Sequence, residues 1–493
     1  MTKTPPFVIA LDQGSSGSKA LAFDASGRVR FSALEPLRTI YGPHQEAEQE
    51  PEEIARGLER ALDRVLARLP ESAEIPAVGL ACQRSTVVFW EKNSGRALGR
   101  AITWQDGRAA AEMEKEPFRS RRNEIHERTG LYLTPYYSAP KIFWKLKKDR
   151  ALRRLADRGG LCAGPVASFL FWRWTKGEAF ACDPTLAQRM LLIDLKTLDW
   201  DAKLRRLFSL SAVRLPKILP SAGFWAALRR GKRTLPIFSC LGDQQAAALG
   251  FGLARPGSAV ANYGTGAFLL YALGSGIKRV PGLLTSIGAG AASDGPGFFL
   301  EGPVSAAGSV LAWLAQNGWA PHFLRDIERL CRESKGGTRF LPALGGLASP
   351  YWDSSARSFW GPLDWSSTKA DLVRAAVESV AFLIGDIADS LRARGCSFGE
   401  LPVSGGLSQS DFLAQTQADV LGVPVKRIVI SEATALGAAL LAAKAAGLRW
   451  TGLKGSPKIS RIFRPRISRT ESARLRREWR RFVSACRGLG RPA

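Results

Sequence analysis

A chain of 493 residues is too long for one small module and suits two domains of ordinary size. With 45% apolar and 23% charged residues, it is not a disordered tail, a collagen-like fibre or a disulfide-rich mini-scaffold. Lysine and arginine number 70 against 44 acidic residues, a formal net charge of +26 that directs attention to nucleic acid, anionic lipid or phosphate-bearing partners.

Seven cysteines are scattered without a CxxC pair, which fits a reducing compartment and use as small apolar fillers. His44, His126 and His322 stand far apart, so neither a His-based zinc site nor an HExxH hydrolase is expected. The segment MTKTPPFVIALDQG has only a short apolar run before Asp12 and no signal-peptide core. No run of about 18 uncharged apolar residues occurs, so the expectation is a cytoplasmic protein without a transmembrane segment.

In chain order, Phe7 to Leu11 predicts a buried strand, DQGSSGS a tight turn, KALAFD a second strand, and VRFSAL a third after the turn ASGR. A helix is predicted over 51–69, with Pro51 at its start and Ile54, Leu58, Leu62, Val65 and Leu69 at helical spacing. The stretches VGLACQ (78–83) and VVFWE (87–91) read as strands, so β and α elements alternate. SAVANYGTGAFLLY (258–271) repeats the opening pattern of apolar runs around a small hydroxyl-bearing turn. Ser15 and Thr265 stand 250 positions apart, which reads as an internal duplication. PVSGG (402–406) precedes a helix over 410–421, and TALGAALLAAKAAG (434–447) reads as a closely packed helix interrupted by Lys444. The last forty residues carry 13 lysines and arginines against Glu471 and Glu478. The expected division is 1–250, 251–450 and a basic helix or tail over 451–493.

LDQGSSGSK (11–19) carries the strongest chemical signal. Glycine in a turn between strands lets backbone N–H groups converge on an anion, and Ser15, Ser16 and Ser18 add hydroxyl donors. Lys19 adds a point charge, and Asp12 at the strand end is suited to a hydrated Mg²⁺. The same composition also fits an ordinary hairpin turn. The only Gly-Lys pair (231–232) is followed by Arg233, which excludes a GxxxxGK[ST] nucleotide loop. In LGDQQAAALGFG (241–252), Asp243 begins an Ala-rich helix, where it can serve as a proton acceptor or simply as an N-cap.

These stretches, together with CQRSTVVFWEKNSGRAL, AITWQDGRAA, TGLYLTPYYSAPKIFW, ANYGTGAFLL, VSGGLSQSDFLAQTQADVLGVPV and EATALGAALLAA, run in order from residue 7 to about 482. In that order they resemble the FGGY family of carbohydrate kinases, and within it most resemble glycerol kinases. The resemblance implies two actin-like/hexokinase-like (ribonuclease H-like) α/β domains with mixed central sheets closing over a cleft. It implies ATP and Mg²⁺ as cofactors and a homo-oligomer, either dimer or tetramer. Asp12 resembles the Mg²⁺-associated aspartate, and Ser15 and Ser16 the phosphate-binding hydroxyls. Lys19 replaces the usual arginine, keeping the charge but losing the bidentate fork. Thr265 and Gly266 resemble the second phosphate loop, while Gly308 and Gly406 resemble residues lining the nucleotide. Ser410 and Ala312 stand where an asparagine and a glutamine are usual.

On the substrate side, Arg84, Trp104, Tyr136, Asp243 and Gln244 match the pattern, with Asp243 as catalytic base. Ser85 departs from it, because a glutamate is usual there. A short neutral hydroxyl in place of a carboxylate leaves more room and less charge, favouring a longer polyol or ketose over glycerol. The xylulokinase QMHG motif reads QRST here. The competing readings are a true glycerol kinase, a basic nucleic-acid- or membrane-surface-binding protein, and a non-catalytic family member. The basic residues show no aromatic-interleaved recognition pattern, so no specific nucleic acid is expected.

Overall fold

A computed structural model describes residues 6–253, 255–290, 297–430, 432–450 and 458–489. The chain divides into two compact units. The first comprises Met1–Gly252, Ser286–Phe298 and Glu432–Ser456; the second comprises Leu253–Thr285, Phe299–Ser431 and Pro457–Ala493. Both are α/β with mixed sheets.

In the first unit, β1 (Val8–Gln13), β2 (Gly17–Phe23) and β3 (Val29–Pro36) form one side of a six-stranded sheet. β1 is antiparallel to β2 and parallel to the strand Ala77–Cys82, which is parallel in turn to Arg233–Gly242. Residues 8–11 are all buried, as expected of a central strand covered on both faces. The helix α1 (Pro51–Leu66) packs on β2 and β3 through Ile54, Leu58, Leu62 and Val65.

The helix Ala433–Ala445 packs on β1 and on the strands Ala77–Cys82 and Arg233–Gly242. Small residues permit that approach. A Cβ on Gly79 would collide with Ala438 O, and one on Gly437 would collide with Ala246 O. This helix therefore belongs to the first unit, although its sequence position suggested the second. Burial of its Ala and Gly face against that sheet draws it back across the chain.

The second unit repeats the pairing pattern. Ala259–Tyr263 is antiparallel to Ala267–Gly274 and parallel to Leu401–Ser404, as β1 is to β2 and Ala77–Cys82. That recurrence supports the duplication read from the two turns. The unit's spine is the buried helix Lys369–Arg392, which starts in a capping box formed by Thr368 and Asp371.

The basic C-terminal segment is not a separate tail. Its helix Arg469–Leu489 buries Ser472, Trp479, Val483 and Cys486 in the second unit. Trp479 stacks on Phe382 at 5.2 Å and donates from Nε1 to Asp386 at 2.7 Å. Burial pushes the Asp386 carboxyl up to about 6. Arg480 faces outward and pairs with Asp389. All seven cysteines are buried and free, and among the described residues no helix is long and apolar enough to cross a membrane.

Trp479→Ala should lower the stability of the second unit by about 3–5 kcal/mol, because it empties a fully buried indole site. Arg480→Gln should stay within about 0.5 kcal/mol. Denaturant midpoints of the two variants check the difference, and similar midpoints would contradict a docked helix.

Candidate active site

β1 delivers Asp12 to the edge of the Gly14–Ser16 turn, directly opposite Lys19 in the β1–β2 register. The turn closes with Gly14 N donating to Gly17 O at 2.9 Å. Gly17 has no room for a side chain, since a Cβ would lie 2.8 Å from Glu35 O. Buried amides hold the turn from below. Gln83 Nε2 donates to Gln13 Oε1 at 3.1 Å and to Gln49 Oε1 at 3.0 Å, and Gln49 Nε2 donates to Ser15 O at 2.8 Å. Trp104 Nε1 donates to Ser15 Oγ at 2.7 Å, joining the expected substrate wall to the expected phosphate turn. The Ser15 hydroxyl is thus engaged within the protein, whereas Ser16 is exposed at the tip.

Asp243 opens the helix Asp243–Gly250, and its Oδ1 accepts from Gln244 N at 2.8 Å. Arg84 is 4% exposed and brings Nε to 3.2 Å from Asp243 Oδ1. The preceding Gly242 N donates to Thr185 Oγ1 at 2.8 Å. Thr185 in turn donates to buried Asp183, which also accepts from Ser221. Burial raises the Asp183 carboxyl to about 6. This network fixes the helix start that carries Asp243.

Asp12 is pushed up to about 7. Burial is the main cause and repulsion from Asp243 the next; Lys19 opposes the shift and Glu432 adds to it. Lys19 Nζ lies 2.9 and 3.0 Å from the two oxygens of Glu432, so its charge is already shared with a carboxylate. The unusual lysine is therefore half of an ion pair within the first unit.

Among the described residues no group of three or more His, Cys, Asp or Glu is arranged to hold a metal ion. Mg²⁺ does not need one, because it commonly binds through one or two carboxylates, water and phosphate oxygens. Two mutually repelling carboxylates, one raised to about 7, fit a site that gains from a divalent cation.

Ser85 follows the strand Ala77–Cys82 in a left-handed conformation, φ +65°, which is strained for serine. It is 2% exposed, and its hydroxyl has no hydrogen-bond partner among the described residues. Its carbonyl accepts from Ser138 Oγ at 3.3 Å and from Lys141 Nζ at 3.0 Å. Lys141 Nζ also donates to Tyr136 O. Burial lowers the Lys141 ammonium to about 7, with Asp106 opposing the shift. Tyr136 packs on Trp104 with ring centres 5.5 Å apart. Asp12, Ser15, Ser16, Lys19, Arg84, Ser85, Trp104, Tyr136, Asp243 and Gln244 all belong to the first unit.

The remaining expected residues belong to the second unit. The exposed turn Gly264–Gly266 joins Ala259–Tyr263 to Ala267–Gly274, where Gly264 N donates to Gly266 O at 2.8 Å. Thr265 O accepts from Ala307 N at 3.1 Å and Ser309 N at 2.9 Å, while Gly308 N donates to Gly264 O at 3.0 Å. A Cβ on Gly308 would lie 2.5 Å from Gly264 O, and one on Gly405 would collide with Tyr263 O. Thr265, Gly266, Gly308 and Gly406 therefore gather on neighbouring loops. Ser410 does not join them as a free hydroxyl. It is fully buried, its Oγ caps Leu413 N at 3.1 Å, and it donates to Glu328 at 2.6 Å. Ala312 is exposed on the helix Gly308–Gln316.

Glu432, Lys141, Asp183 and the Gln13–Gln49–Gln83 amides were not anticipated as parts of the site. Gln13, Gln83, Lys141 and Glu432 lie within the stretches that carry the family resemblance, which was the signal available for them.

The model of the FGGY family of carbohydrate kinases matches this chain twice, as its N-terminal domain over residues 7–250 and its C-terminal domain over 259–446. The chain belongs to this family. It is an enzyme that phosphorylates an alcohol group, a kinase of sugars or polyols. FGGY kinases use ATP as the phosphate donor. The chain is 38% identical to a glycerol kinase of Thermus brockianus, over 98% of this chain and 99% of the other. It is 36% identical to a glycerol kinase of Geobacter sp. (strain M21), over 97% and 98%. Among solved structures it resembles Plasmodium falciparum glycerol kinase with ADP, at TM-score 0.91 and 27% identity over 98% of each chain. A gluconate kinase from Lactobacillus acidophilus shares the fold at TM-score 0.88 and 21% identity, over 99% of each chain.

Raising Asp12 to about 7 means that the folded protein binds an extra proton between an unfolded value near 3.8 and 7. Its stability should therefore fall as pH rises through that window. Asp12→Asn should flatten the dependence and stabilise the protein above pH 7 by roughly 1–3 kcal/mol. Thermal midpoints from pH 4 to 8 check this, and a variant less stable than the parent at pH 8 would contradict it.

Proposed function

We propose that this kinase transfers the terminal phosphoryl group of ATP to a primary hydroxyl of a small polyol or ketose larger than glycerol. Asp243 accepts the hydroxyl proton. It stands at a helix start with Arg84 Nε 3.2 Å from its Oδ1, which fixes the carboxylate where an acceptor hydroxyl can reach it. Arg84, Trp104, Tyr136 and Gln244 hold the acceptor, and Ser85 contacts its further hydroxyls. Asp12 holds Mg²⁺, which supplies charge neutralisation on the phosphates when bound. The glycine turn at Ser15–Ser16 and the Thr265–Gly266 loop, with Gly308 and Gly406, are the proposed phosphate and nucleotide contacts. Lys19 contributes to the first of these through its pair with Glu432. Ser410 supports this reading only as the cap of the helix that follows Gly406.

The observation that carries the acceptor assignment is the buried Ser85 hydroxyl without a protein partner. Leaving such a group unsatisfied costs about 1–3 kcal/mol, which an acceptor hydroxyl would recover. A second reading is glycerol itself, favoured by the glycerol kinases among the relatives.

Two measurements test these assignments. Asp243→Asn should reduce acceptor-dependent ADP release by about 10²–10⁴-fold while nucleotide binding persists. Retention of more than half the activity would remove Asp243 from the role of base. Across glycerol and four- to six-carbon polyols and ketoses, a longer acceptor should give the highest kcat/KM, and Ser85→Glu should shift preference towards glycerol. If glycerol outperforms every longer acceptor in the parent protein, the second reading holds and the inference from Ser85 fails.

A further inference from the structure

A cavity of about 720 Å³ lies wholly within the second unit. Its walls are the helices Phe323–Glu333, Lys369–Arg392, Asp411–Leu421 and Arg469–Leu489, together with the strand Lys458–Phe463. Its size is that of a small-molecule site rather than a gap for a few waters. Seven lysines and arginines line it against five carboxylates, so the lining is net basic.

Arg339 is the decisive residue. Its side chain is 13% exposed, and its Nε is buried with no hydrogen-bond partner among the described residues. The nearest carboxylates, Glu378 at 3.7 Å and Glu478 at 3.5 Å, are too far for good hydrogen bonds. Glu378 is held more closely by Arg374, at 2.7 Å. Among the described residues its side chain gives one hydrogen bond, to Thr338 O at 3.4 Å, and its guanidinium lies 5.5 Å from the Phe382 ring centre. A guanidinium with five donors is costly to bury so poorly matched unless an acceptor completes it.

Two more cations face the same space. Lys335 and Arg466 line the cavity, are exposed, and make no side-chain ion pair among the described residues. Immediately after Lys335 the backbone turns through Gly336 and Gly337, at φ +78° and +101°. Phe412 supplies an aromatic wall, with the Arg374 guanidinium 5.3 Å from its ring centre.

We propose that this cavity binds a small phosphorylated organic molecule, with the Arg339 fork on the phosphate, Lys335 and Arg466 as further charges, and Phe412 against the organic body. Phosphate suits a largely buried fork flanked by exposed cations, since it offers several charged acceptor oxygens at once. The volume exceeds what inorganic phosphate alone would fill. The assignment stands apart from the catalytic reading, because none of these residues belongs to the proposed active site.

Calorimetric titration of the full-length protein with inorganic pyrophosphate, at about 50 mM salt and with saturating MgADP, tests it. The expected result is one binding event that weakens as salt is raised. Arg339→Met should weaken it by about tenfold or more. Should that variant not fold, the exposed pair Lys335→Gln and Arg466→Gln should together weaken it roughly several-fold, as the loss of two exposed charged contacts implies. Asp243→Asn should leave it unchanged, so a failure of the base assignment would not be mistaken for a failure here. Absence of binding under these conditions, or equal binding by parent and cavity variants, would overturn the proposal.

Discussion

Two carboxylates, one buried and one partly exposed, held close enough to repel each other constrain the first unit. Asp12 and Asp243 repel each other strongly enough to help raise Asp12 to about 7, and Glu432 adds a third negative charge. A freely relaxing chain would separate them. Here they are fixed by backbone that has no other position available. Asp12 stands in a central strand paired on both sides, and Asp243 stands at a helix start tied to the Asp183 network. Lys19 and Arg84 offset part of the repulsion and leave the remainder. That residual imbalance costs stability, and under the proposed function it is what a phosphate-bound cation would relieve.

Rigidity comes from two different materials. Beneath the Gly14–Ser16 turn it comes from side-chain amides, whose donors and acceptors are directional and position Ser15 from below. Behind the sheet it comes from the absence of side chains. Gly79 and Gly437 let the helix Ala433–Ala445 approach until backbone nearly meets backbone. Adding a methyl group at either position would push that helix outward, and Glu432 at its start would move with it. The ion pair with Lys19 thus depends on glycine packing several residues away.

Local pattern made the strands, the two turns and the helices at 51–66, 411–421 and 433–445 legible, because each is written in the spacing of neighbouring residues. Asp12, Arg84 and Asp243 were singled out with the help of resemblance, and what the structure adds is that all three lie in the first unit, with Arg84 against Asp243. What was not legible depends on distance along the chain. Lys19 meets Glu432 across 413 positions, and nothing near Lys19 announces that partner. Ser410 was placed by resemblance alone, and its burial and its bond to Leu413 N, which show its hydroxyl capping a helix, could not be read from the sequence. For the C-terminal segment, read as a basic helix or tail, the docking was hard to see because its arginines dominate its composition. Its four buried positions are spaced along one face, a weaker signal that only the packed partner Phe382 makes plain.

The +26 charge also takes on a different meaning once the arginines are located. Many are locally matched: Asp389 alone serves Arg392, Arg476 and Arg480, and Arg108 meets Asp106, Glu46 and Glu48 while stacking over Trp144. With 44 acids for 70 basic residues, matching cannot be complete. The surplus needs no nucleic acid to explain it. An enzyme whose donor is a polyanion gains from a positive field, which raises the frequency of productive encounters and weakens as salt rises. Such a field is indifferent to which surface arginine supplies it, so its sources can sit on the outer face of a helix held in place by Trp479. Charge distribution and core packing are then separate properties of the same helix.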